Sequence, residues 1–181
     1  MNKKNQKLAK QIYDISHITG KFLLRSGRES DEYFDKYLFE ARPALLKEIC
    51  RAMSKLIPAK IDMLAGLEMG GIPLVTMLSQ SSKKSSLFVR KKAKKHGTCK
   101  LAEGENIKGK KIVIIEDVVT SGGQIILSAQ ELRSLGAKIE CVLCVIDREA
   151  GGAENLARIG LKLKPLFTMS ELKKSALGKN K

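Results

Sequence analysis

The 181-residue chain has no tryptophan, and aromatic residues make up only 4% of it, so its core must be built from aliphatic side chains. No stretch approaches the roughly 18 consecutive apolar residues of a membrane span. The N-terminal lysines are not followed by the apolar segment of a secretory signal. The four cysteines are too few and too scattered for a disulfide scaffold. We therefore expect one cytoplasmic domain over residues 1–181, because a hydrophobic content of 43% is sufficient for one core.

Positive charge is in large excess: Lys and Arg total 34 against 19 Asp and Glu, which gives a formal net charge of +15. Such an excess indicates an anionic partner, whether a nucleic acid, a membrane surface or a phosphorylated small molecule. Abundant surface lysine explains the excess equally well, because many of the lysines lie at the two ends of the chain. The basic cluster at 90–96, in the middle of the chain, does not fit that second explanation.

Hydrophobic periodicity predicts that strands and helices alternate. Pro43 suits the first position of a helix. The polar segment 91–110 has no apolar period and is interpreted as a long loop. The alternation predicts an α/β fold with a mainly parallel sheet flanked by helices. The predicted strands are 21–25, 61–65, 86–90, 111–115 and 139–146, and the predicted helices are 3–15, 72–80, 124–135 and one that begins at Pro43.

The segment IVIIEDVVTSGGQ, residues 112–124, is the most informative part of the sequence. A buried strand ends in Glu116 and Asp117, and a turn of small residues then leads into a helix. Such a turn offers backbone N–H groups and the positive end of the helix dipole to a phosphate. The two carboxylates would repel that phosphate, so they are better explained as partners of sugar hydroxyls or of a nearby metal or developing positive charge. The pattern predicts a ribose phosphate site, whereas the alternative is an ordinary helix cap beside two solvated acids.

Residues 112–124 resemble the phosphoribosyl-diphosphate signature of the type I phosphoribosyltransferases, in which two acids and two apolar residues precede Thr-Ser/Thr-Gly-Gly. Further segments are similar to those of one branch, the orotate phosphoribosyltransferase family. These segments are FLLRSGRESDEYFDKY at 22–37, GLEMGGIPL at 66–74, RKKAKKHG at 90–97 and DREAGG at 147–152. Because they occur in the expected order and cover most of the chain, the combination is much more specific than any one segment.

The resemblance implies a type I phosphoribosyltransferase fold in which about residues 1–40 and the C-terminal tail form a small hood over the sheet edge. It implies transfer of the ribosyl 5-phosphate group from phosphoribosyl diphosphate to orotate. It also implies Mg²⁺ as cofactor, held mainly by the substrates rather than by the protein. A homodimer is implied too, with the basic loop of one subunit reaching over the active site of the other.

The basic cluster suits a loop that closes over the leaving diphosphate, because cations favour the departure of a polyanion and closure excludes water. A disordered basic loop or a nucleic-acid patch is the alternative, although the segment lacks the interleaved aromatics that stack on single strands. By resemblance, catalysis is assigned to Lys94, His96 and Asp117. Contact with phosphoribosyl diphosphate is assigned to Arg25, Arg90, Lys91, Lys94, His96, Glu116, Asp117, Val118, Val119, Thr120, Ser121, Gly122, Gly123 and Gln124.

Orotate is a planar anion, and its predicted contacts are Tyr33, Phe34, Thr120 and Arg148. Arg148 can hold the carboxylate with a fork of two N–H donors, and the alternative for it is a surface ion pair. The Tyr33–Phe34 pair can stack on the pyrimidine, and the alternative for it is core packing.

Arg25 departs from the family pattern, which commonly has a lysine immediately before the Ser-Gly pair. The charge is kept, so contact with a polyanion is retained, but a role that needs a lysine proton is not. Two other functions remain open: a purine-type phosphoribosyltransferase, and a non-catalytic regulator that binds nucleic acid. Arg148 and the Tyr33–Phe34 pair argue against the first function, and the loop cations argue against the second.

Overall fold

The computed structural model describes residues 1–23, 27, 29–92 and 101–178, and helices alternate with strands along most of this length. The helices are α1 Lys3–Ser16, α2 Tyr37–Glu40, α3 Pro43–Met53, α4 Gly71–Ser82, α5 Gly123–Ser134, α6 Gly152–Ala157 and α7 Met169–Leu177, with a 3₁₀ turn at Ser54–Leu56. The strands are β1 His17–Leu23, β2 Glu29–Phe34, β3 Met63–Leu67, β4 Ser85–Val89, β5 Ala102–Glu103, β6 Lys111–Val119, β7 Lys138–Asp147 and β8 Lys162–Thr168.

The central sheet has six strands in the order β5-β4-β3-β6-β7-β8. All neighbouring pairs are parallel except β4 and β5, so the predicted α/β fold with a mainly parallel sheet is confirmed. From β3 the chain continues outward to β4, whereas from β6 it continues in the opposite direction to β7 and β8. The strand order therefore reverses between β3 and β6. In open α/β sheets, ligands bind at this switch point, beyond the carboxyl ends of the strands.

Each face of the sheet is covered by its own aliphatic core, as expected of parallel strands buried on both sides. On one face, Val113 and Ile115 pack with α1, α3 and α4, and on the other, Ile112 and Ile114 pack with α5. Cys141 belongs to the first core and Cys144 to the second. The two thiols therefore point to opposite faces of β7, as residues three apart on a strand must, and they cannot share a metal ion.

The N-terminal and C-terminal segments lie together. Helix α1 packs against α7, and the antiparallel hairpin of β1 and β2 follows directly on α1. Asn2 caps the start of α1 by accepting a hydrogen bond from the Asn5 N–H, and Thr168 with Glu171 forms a capping box on α7. None of the helices in the described ranges is long and apolar enough to cross a lipid bilayer.

Several predicted boundaries need correction. Strand β6 runs to Val119 rather than 115, because its pairing with β7 continues to Val119 and Asp147. The two acids therefore lie inside the strand instead of following it. The predicted strand 21–25 is the second half of β1, which begins at His17, and its last two residues lie outside the described residues. The predicted strand 61–65 is found at Met63–Leu67.

The interpretation of 91–110 as one polar loop is wrong for its second half. Ala102 and Glu103 form β5 along the edge of β4, and Leu101 and Ile107 are buried against the sheet. These apolar residues are too widely spaced to show a period, so periodicity could not identify them. Residues 93–100 lie outside the described residues.

Candidate active site

The segments singled out in the sequence meet at the carboxyl edge of the sheet. The loop after β3, the end of β4, the end of β6 and the turn after β7 all lie there, because these strands run parallel. Glu68 Oε1 accepts a hydrogen bond from the Lys91 N–H at 2.6 Å, which joins the loops after β3 and β4. The Arg148 N–H donates to the Val119 carbonyl oxygen at 2.9 Å, which joins the ends of β6 and β7.

The turn between β6 and α5 has the geometry of a phosphate-binding loop. Gly122 precedes α5 with φ +76, a conformation that glycine adopts without strain. Thr120 and Ser121 are exposed, and no side chain caps the first turn of α5. The first N–H groups of α5 and the two hydroxyls are therefore available to an anion.

The remaining predicted residues of this loop contribute through the backbone or along the helix. Val118 and Val119 direct their side chains into the two cores, so only their peptide groups face the loop. Gln124 Nε2 lies 3.3 Å from Ser128 Oγ on the same helix. Gly123 is exposed at the start of α5.

The turn after β7 and the start of α6 contact the backbone of the phosphate-binding loop. Asn155 donates a hydrogen bond from Nδ2 to the Ser121 carbonyl oxygen at 3.0 Å. A Cβ at Gly152 would lie 2.5 Å from the Thr120 carbonyl oxygen, so only glycine permits this approach. The second glycine of DREAGG thus has a packing reason that the sequence alone does not show, whereas the first, Gly151, adopts φ +82. Asn155 was missed, since an asparagine on a short helix carries no sequence signal of its own.

The two acids of β6 differ in exposure. Asp117 is 0% exposed, with Oδ1 accepting the Val118 N–H at 2.5 Å and Oδ2 lying 2.6 Å from Lys36 Nζ. Glu116 keeps some exposed surface. Burial raises the pKa of Glu116 well above its usual range, and the neighbouring Asp117 raises it further. In this arrangement Glu116, rather than Asp117, is open to a sugar hydroxyl, and a catalytic role for Asp117 stays a prediction.

Two residues that sequence reasoning missed, Lys36 and Glu40, converge on Asp117. Burial lowers the pKa of Lys36, but its ion pair with Asp117 offsets this effect and leaves the pKa raised. Burial raises the pKa of Glu40 to about 8, and the adjacent Asp117 carboxylate contributes in the same direction. Their i, i+4 spacing in the sequence favours a surface ion pair on a helix. No pattern in the sequence indicates that these residues pair with Asp117, which lies in a strand about 80 positions further along the chain.

Gly70, in the loop after β3, closes over the same carboxyl groups. A Cβ at this position would overlap Asp117 Oδ2 and would lie 2.9 Å from Glu40 Oε1. The backbone angles at Gly70 are φ −67 and ψ −27, which any residue adopts. Glycine is therefore required for space rather than for conformation, and GLEMGG brings β3 and β6 together at the switch point.

The basic segment is described only at its start. The Arg90 N–H donates to the Leu101 carbonyl oxygen at 2.9 Å, and Arg90 Nε lies 3.7 Å from Glu103 Oε1. Lys91 follows at the same edge with an exposed side chain. Lys94 and His96, and likewise Arg25 of the N-terminal motif, lie outside the described residues. Their assignment to catalysis and substrate binding stays a prediction.

Of the predicted orotate contacts, Thr120 lies on the phosphate-binding loop described above, Arg148 on the turn after β7, and Tyr33 and Phe34 on the β1–β2 hairpin. Arg148 is exposed and close enough to Glu32 to lower the pKa of that carboxyl, although the hydrogen bond from His17 lowers it most. Tyr33 is 45% exposed, and its ring centroid lies 5.5 Å from that of Phe22. Phe34 points the other way and packs against the core. The alternative of core packing thus describes Phe34, and Tyr33 is the aromatic ring left open.

This fold and phosphate-binding loop define a phosphoribosyltransferase, and the model of the family described as "Phosphoribosyl transferase domain" matches residues 38–166. The chain is 48% identical over 165 residues to the orotate phosphoribosyltransferase of Nocardioides sp., a match covering 91% of this chain and 92% of that protein. It is 44% identical over 153 residues to the orotate phosphoribosyltransferase of Methanocella arvoryzae, covering 84% and 87%. The chain thus belongs to the orotate phosphoribosyltransferase family.

The solved structures agree with this assignment. The crystal structure of the Mycobacterium tuberculosis orotate phosphoribosyltransferase superposes with a TM-score of 0.84 at 27% sequence identity. The superposition covers 93% of this chain and 98% of that one. The similarity therefore extends over nearly the whole length of both chains.

Proposed function

We propose that this chain transfers the ribosyl 5-phosphate group of 5-phosphoribosyl 1-diphosphate to orotate, giving orotidine 5′-phosphate and diphosphate in the de novo synthesis of UMP. The observation that carries the proposal is the switch point, where the uncapped N-terminus of α5, the β6 acids and the backbone of Arg148, hydrogen-bonded to the end of β6, meet at one edge of the sheet. One ligand with a phosphate, a ribose and an anionic base would use all three features.

Each part of the site has a separate task in this reaction. The amides of the loop after β6 and the Thr120 and Ser121 hydroxyls bind the 5-phosphate. Glu116 accepts hydrogen bonds from ribose hydroxyls. As the glycosidic C–O bond breaks, positive charge develops on the ribosyl group and negative charge on the leaving diphosphate. Arg90 and Lys91, at the end of β4, stabilise the diphosphate, together with Lys94 and His96 as the sequence predicts.

The base is oriented by the opposite side of the crevice. The guanidinium group of Arg148 donates two hydrogen bonds to the orotate carboxylate, and the Tyr33 ring covers one face of the pyrimidine. A purine base has no carboxylate for Arg148 to hold. The arrangement therefore favours orotate over a purine as the acceptor.

A magnesium ion fits this reaction as a partner of the substrate. In the described part of the chain, no group of three His, Cys, Asp or Glu side chains is arranged to hold a metal ion. Phosphate oxygens are ligands that Mg²⁺ prefers, and it keeps several waters when it binds them. Bound with the diphosphate, such an ion would neutralise part of the leaving-group charge.

Two features of the physiological form belong to the proposal. The chain acts as a homodimer whose basic loop serves the active site of the neighbouring subunit, and it acts in the cytoplasm. Mixing the Lys94→Ala and Arg148→Ala variants, at an orotate concentration too low for either variant alone to turn over appreciably, tests the shared site. A site built from two subunits regains part of its activity in the mixture, whereas a site contained in one subunit regains none.

The reaction itself is tested by release of diphosphate from phosphoribosyl diphosphate and Mg²⁺ with orotate, uracil, adenine or hypoxanthine added separately. Release with orotate alone supports the proposal. Release with another base alone keeps the fold and the mechanism but contradicts the roles of Arg148 and Tyr33. No release with any base, together with salt-dependent binding of RNA or DNA, favours a non-catalytic regulator.

A further inference from the structure

A buried cluster of one cation and three carboxyl groups lies beneath the switch point. Lys36 and Glu40 come from the segment that follows the hairpin, and Glu116 and Asp117 come from β6. Glu40 is 8% exposed and Asp117 is 0% exposed, and the two carboxyl groups are neighbours, because a Cβ placed on Gly70 would overlap Asp117 Oδ2 and lie 2.9 Å from Glu40 Oε1. Apart from that contact, Glu40 Oε1 is buried without a partner within the described ranges.

This contact requires a proton. Two ionised carboxylates have no hydrogen between them to share, and in a buried site their repulsion is strong. Lys36 supplies one positive charge, and its Nζ already lies 2.6 Å from Asp117 Oδ2. Because Asp117 has the cation and the Val118 N–H as partners, the proton resides on Glu40.

The cluster connects the hood to the reacting end of the substrate. Helix α2, which ends at Glu40, packs against α1 and α3. Asp117 is one residue from Glu116 and three from Thr120 in the loop that binds the 5-phosphate. Gly70 lies against both Glu40 and Asp117, so the loop after β3 is also held by this contact.

We propose that Glu40 is a positioning residue for phosphoribosyl diphosphate binding, which acts by donating a hydrogen bond from its neutral carboxyl group to Asp117 while Lys36 holds the same carboxylate from the other side. The inference rests on the proposed function, since it concerns the substrate of that site. Neutral Glu40 keeps the crevice from carrying a further negative charge where a polyanion must bind. Ionised Glu40 adds that charge and breaks the contact that holds Asp117.

The expected consequence is a loss of affinity at alkaline pH. The groups that act on Glu40 are Asp117 from β6 and Lys36 and Asp35 from the turn before α2, and Glu116 acts on both Lys36 and Asp117. The binding-competent form is the one in which Glu40 is neutral. Since the pKa of Glu40 is about 8, the fraction of protein in this form falls about tenfold between pH 7 and pH 9. The apparent KM for phosphoribosyl diphosphate rises by the same factor, while kcat at saturation changes little.

The experiment measures kcat and the KM for phosphoribosyl diphosphate between pH 6.5 and 9.5 at saturating orotate and Mg²⁺. Three variants are compared with the unsubstituted protein. Glu40→Gln keeps a neutral hydrogen-bond donor, Glu40→Leu removes the donor, and Glu131→Gln, on the exposed face of α5, is the matched control. The equilibrium affinity for phosphoribosyl diphosphate is measured over the same range without orotate.

We expect the KM of Glu40→Gln for phosphoribosyl diphosphate to equal that of the unsubstituted protein at pH 7 and to stay at that value at pH 9. The KM of the Glu131→Gln control should rise between these pH values as it does in the unsubstituted protein. Glu40→Leu binds weakly at every pH. A Glu40→Gln profile that still rises tenfold overturns the proposal, and this holds even if Glu40→Leu fails to fold. Absence of orotidine 5′-phosphate formation by the unsubstituted protein contradicts the proposed function instead, while the equilibrium affinities still decide the role of Glu40.

Discussion

The side-chain amide of Asn155 donates a hydrogen bond to the backbone carbonyl oxygen of Ser121 at 3.0 Å, and this bond joins the turn after β7 to the phosphate-binding loop. The first residues of α6 thereby support a loop that lies more than 30 positions earlier in the chain. Asn155 Oδ1 also accepts a hydrogen bond from Arg158 at 3.1 Å, a separate contact of the same side chain.

The Asn155→Ala variant tests this support. Loss of one hydrogen bond at a partly solvated site costs about 1 kcal/mol, so we expect the KM for phosphoribosyl diphosphate to rise about fivefold with kcat nearly unchanged. Steady-state kinetics with each substrate varied in turn provides the measurement. Arg158→Ala is the matched control, because it removes the neighbouring bond but leaves the Ser121 contact. Equal effects of the two substitutions would contradict a specific role for Asn155.

Gly70 has no room for a side chain, and Gly70→Ala tests the closure of the switch point. The added methyl group overlaps Asp117 Oδ2, so the loop after β3 must move away from β6. Overpacking of this kind costs about 1–3 kcal/mol of stability. We expect the initial rate to fall by a larger factor than the loss of folded protein explains, because the acids and the loop are displaced together.

The comparison for Gly70→Ala is Gly178→Ala, where the added atom meets its nearest neighbour at 3.4 Å. Thermal unfolding and initial rates are measured on both variants. If Gly70→Ala retains full activity, whatever its unfolding temperature, the close contact of the loop after β3 with Asp117 has no functional consequence.

The elements of this site that sequence reasoning predicted are those in which adjacent residues carry the chemistry. The run from Ile112 to Gln124 contains a strand, two acids and a glycine turn in one local pattern, and the structure has all three. The boundary at 115 was wrong because acidic residues usually end a buried strand. Here pairing with β7 continues past them, since Asp117 is neutralised by Lys36.

The elements that it could not predict depend on contacts between distant segments. Lys36 and Glu40 are close to Asp117 only because the segment that follows the β1–β2 hairpin folds against the end of β6. Gly70 and Gly152 are glycine for lack of space, and this lack of space exists only once two loops meet. Phe34 and Tyr33 are adjacent in sequence, yet alternation along β2 sends one ring into the core and leaves the other exposed.

Arg148 is predicted to read the carboxylate of the base. Hydrogen bonds to a charged group are worth about 1.5–3 kcal/mol, so we expect Arg148→Ala to raise the KM for orotate by about ten- to a hundredfold. The KM for phosphoribosyl diphosphate should stay close to that of the unsubstituted protein. Arg148→Lys keeps the charge but loses the fork of donors, so its KM for orotate should lie between those of the unsubstituted protein and of Arg148→Ala.

Arg51→Ala, on the exposed side of α3, is the control for loss of one surface arginine. Initial rates with orotate varied at saturating phosphoribosyl diphosphate give the required constants. A parallel rise in both KM values would place Arg148 among the phosphate contacts rather than the base contacts.

Lys94 is predicted from the sequence to act on the leaving diphosphate. Removal of one charged donor that acts on a developing anion lowers turnover by about a hundredfold or more, so Lys94→Ala should reduce kcat strongly while the unfolding temperature stays within about one degree. Lys95→Ala removes the same charge at the adjacent position, to which no role is assigned, and should keep most of the rate. An unchanged kcat for Lys94→Ala would remove this lysine from the mechanism.

Glu40 also makes the stability of the fold depend on pH. Its pKa is about 8 in the folded protein and about 4.5 in an unfolded chain, so between these values the folded state holds a proton that the unfolded state has released. The free energy of unfolding therefore falls as pH rises from 5 to 8, by up to a few kcal/mol, and this contribution is constant above pH 8. Glu40→Gln has no such proton to lose.

Urea unfolding at pH 5, 6.5 and 8 measures the effect as a difference between the two proteins, in which the titration of all other groups largely cancels. We expect the Gln variant to gain stability relative to the unsubstituted protein as pH rises, with Glu131→Gln showing no trend. If the free energies of unfolding of the two proteins differ by the same amount at all three pH values, Glu40 ionises in the folded protein as it does in an unfolded chain. The Asp117 contact would then be made by two charged carboxylates, and the argument for a proton between them would fail.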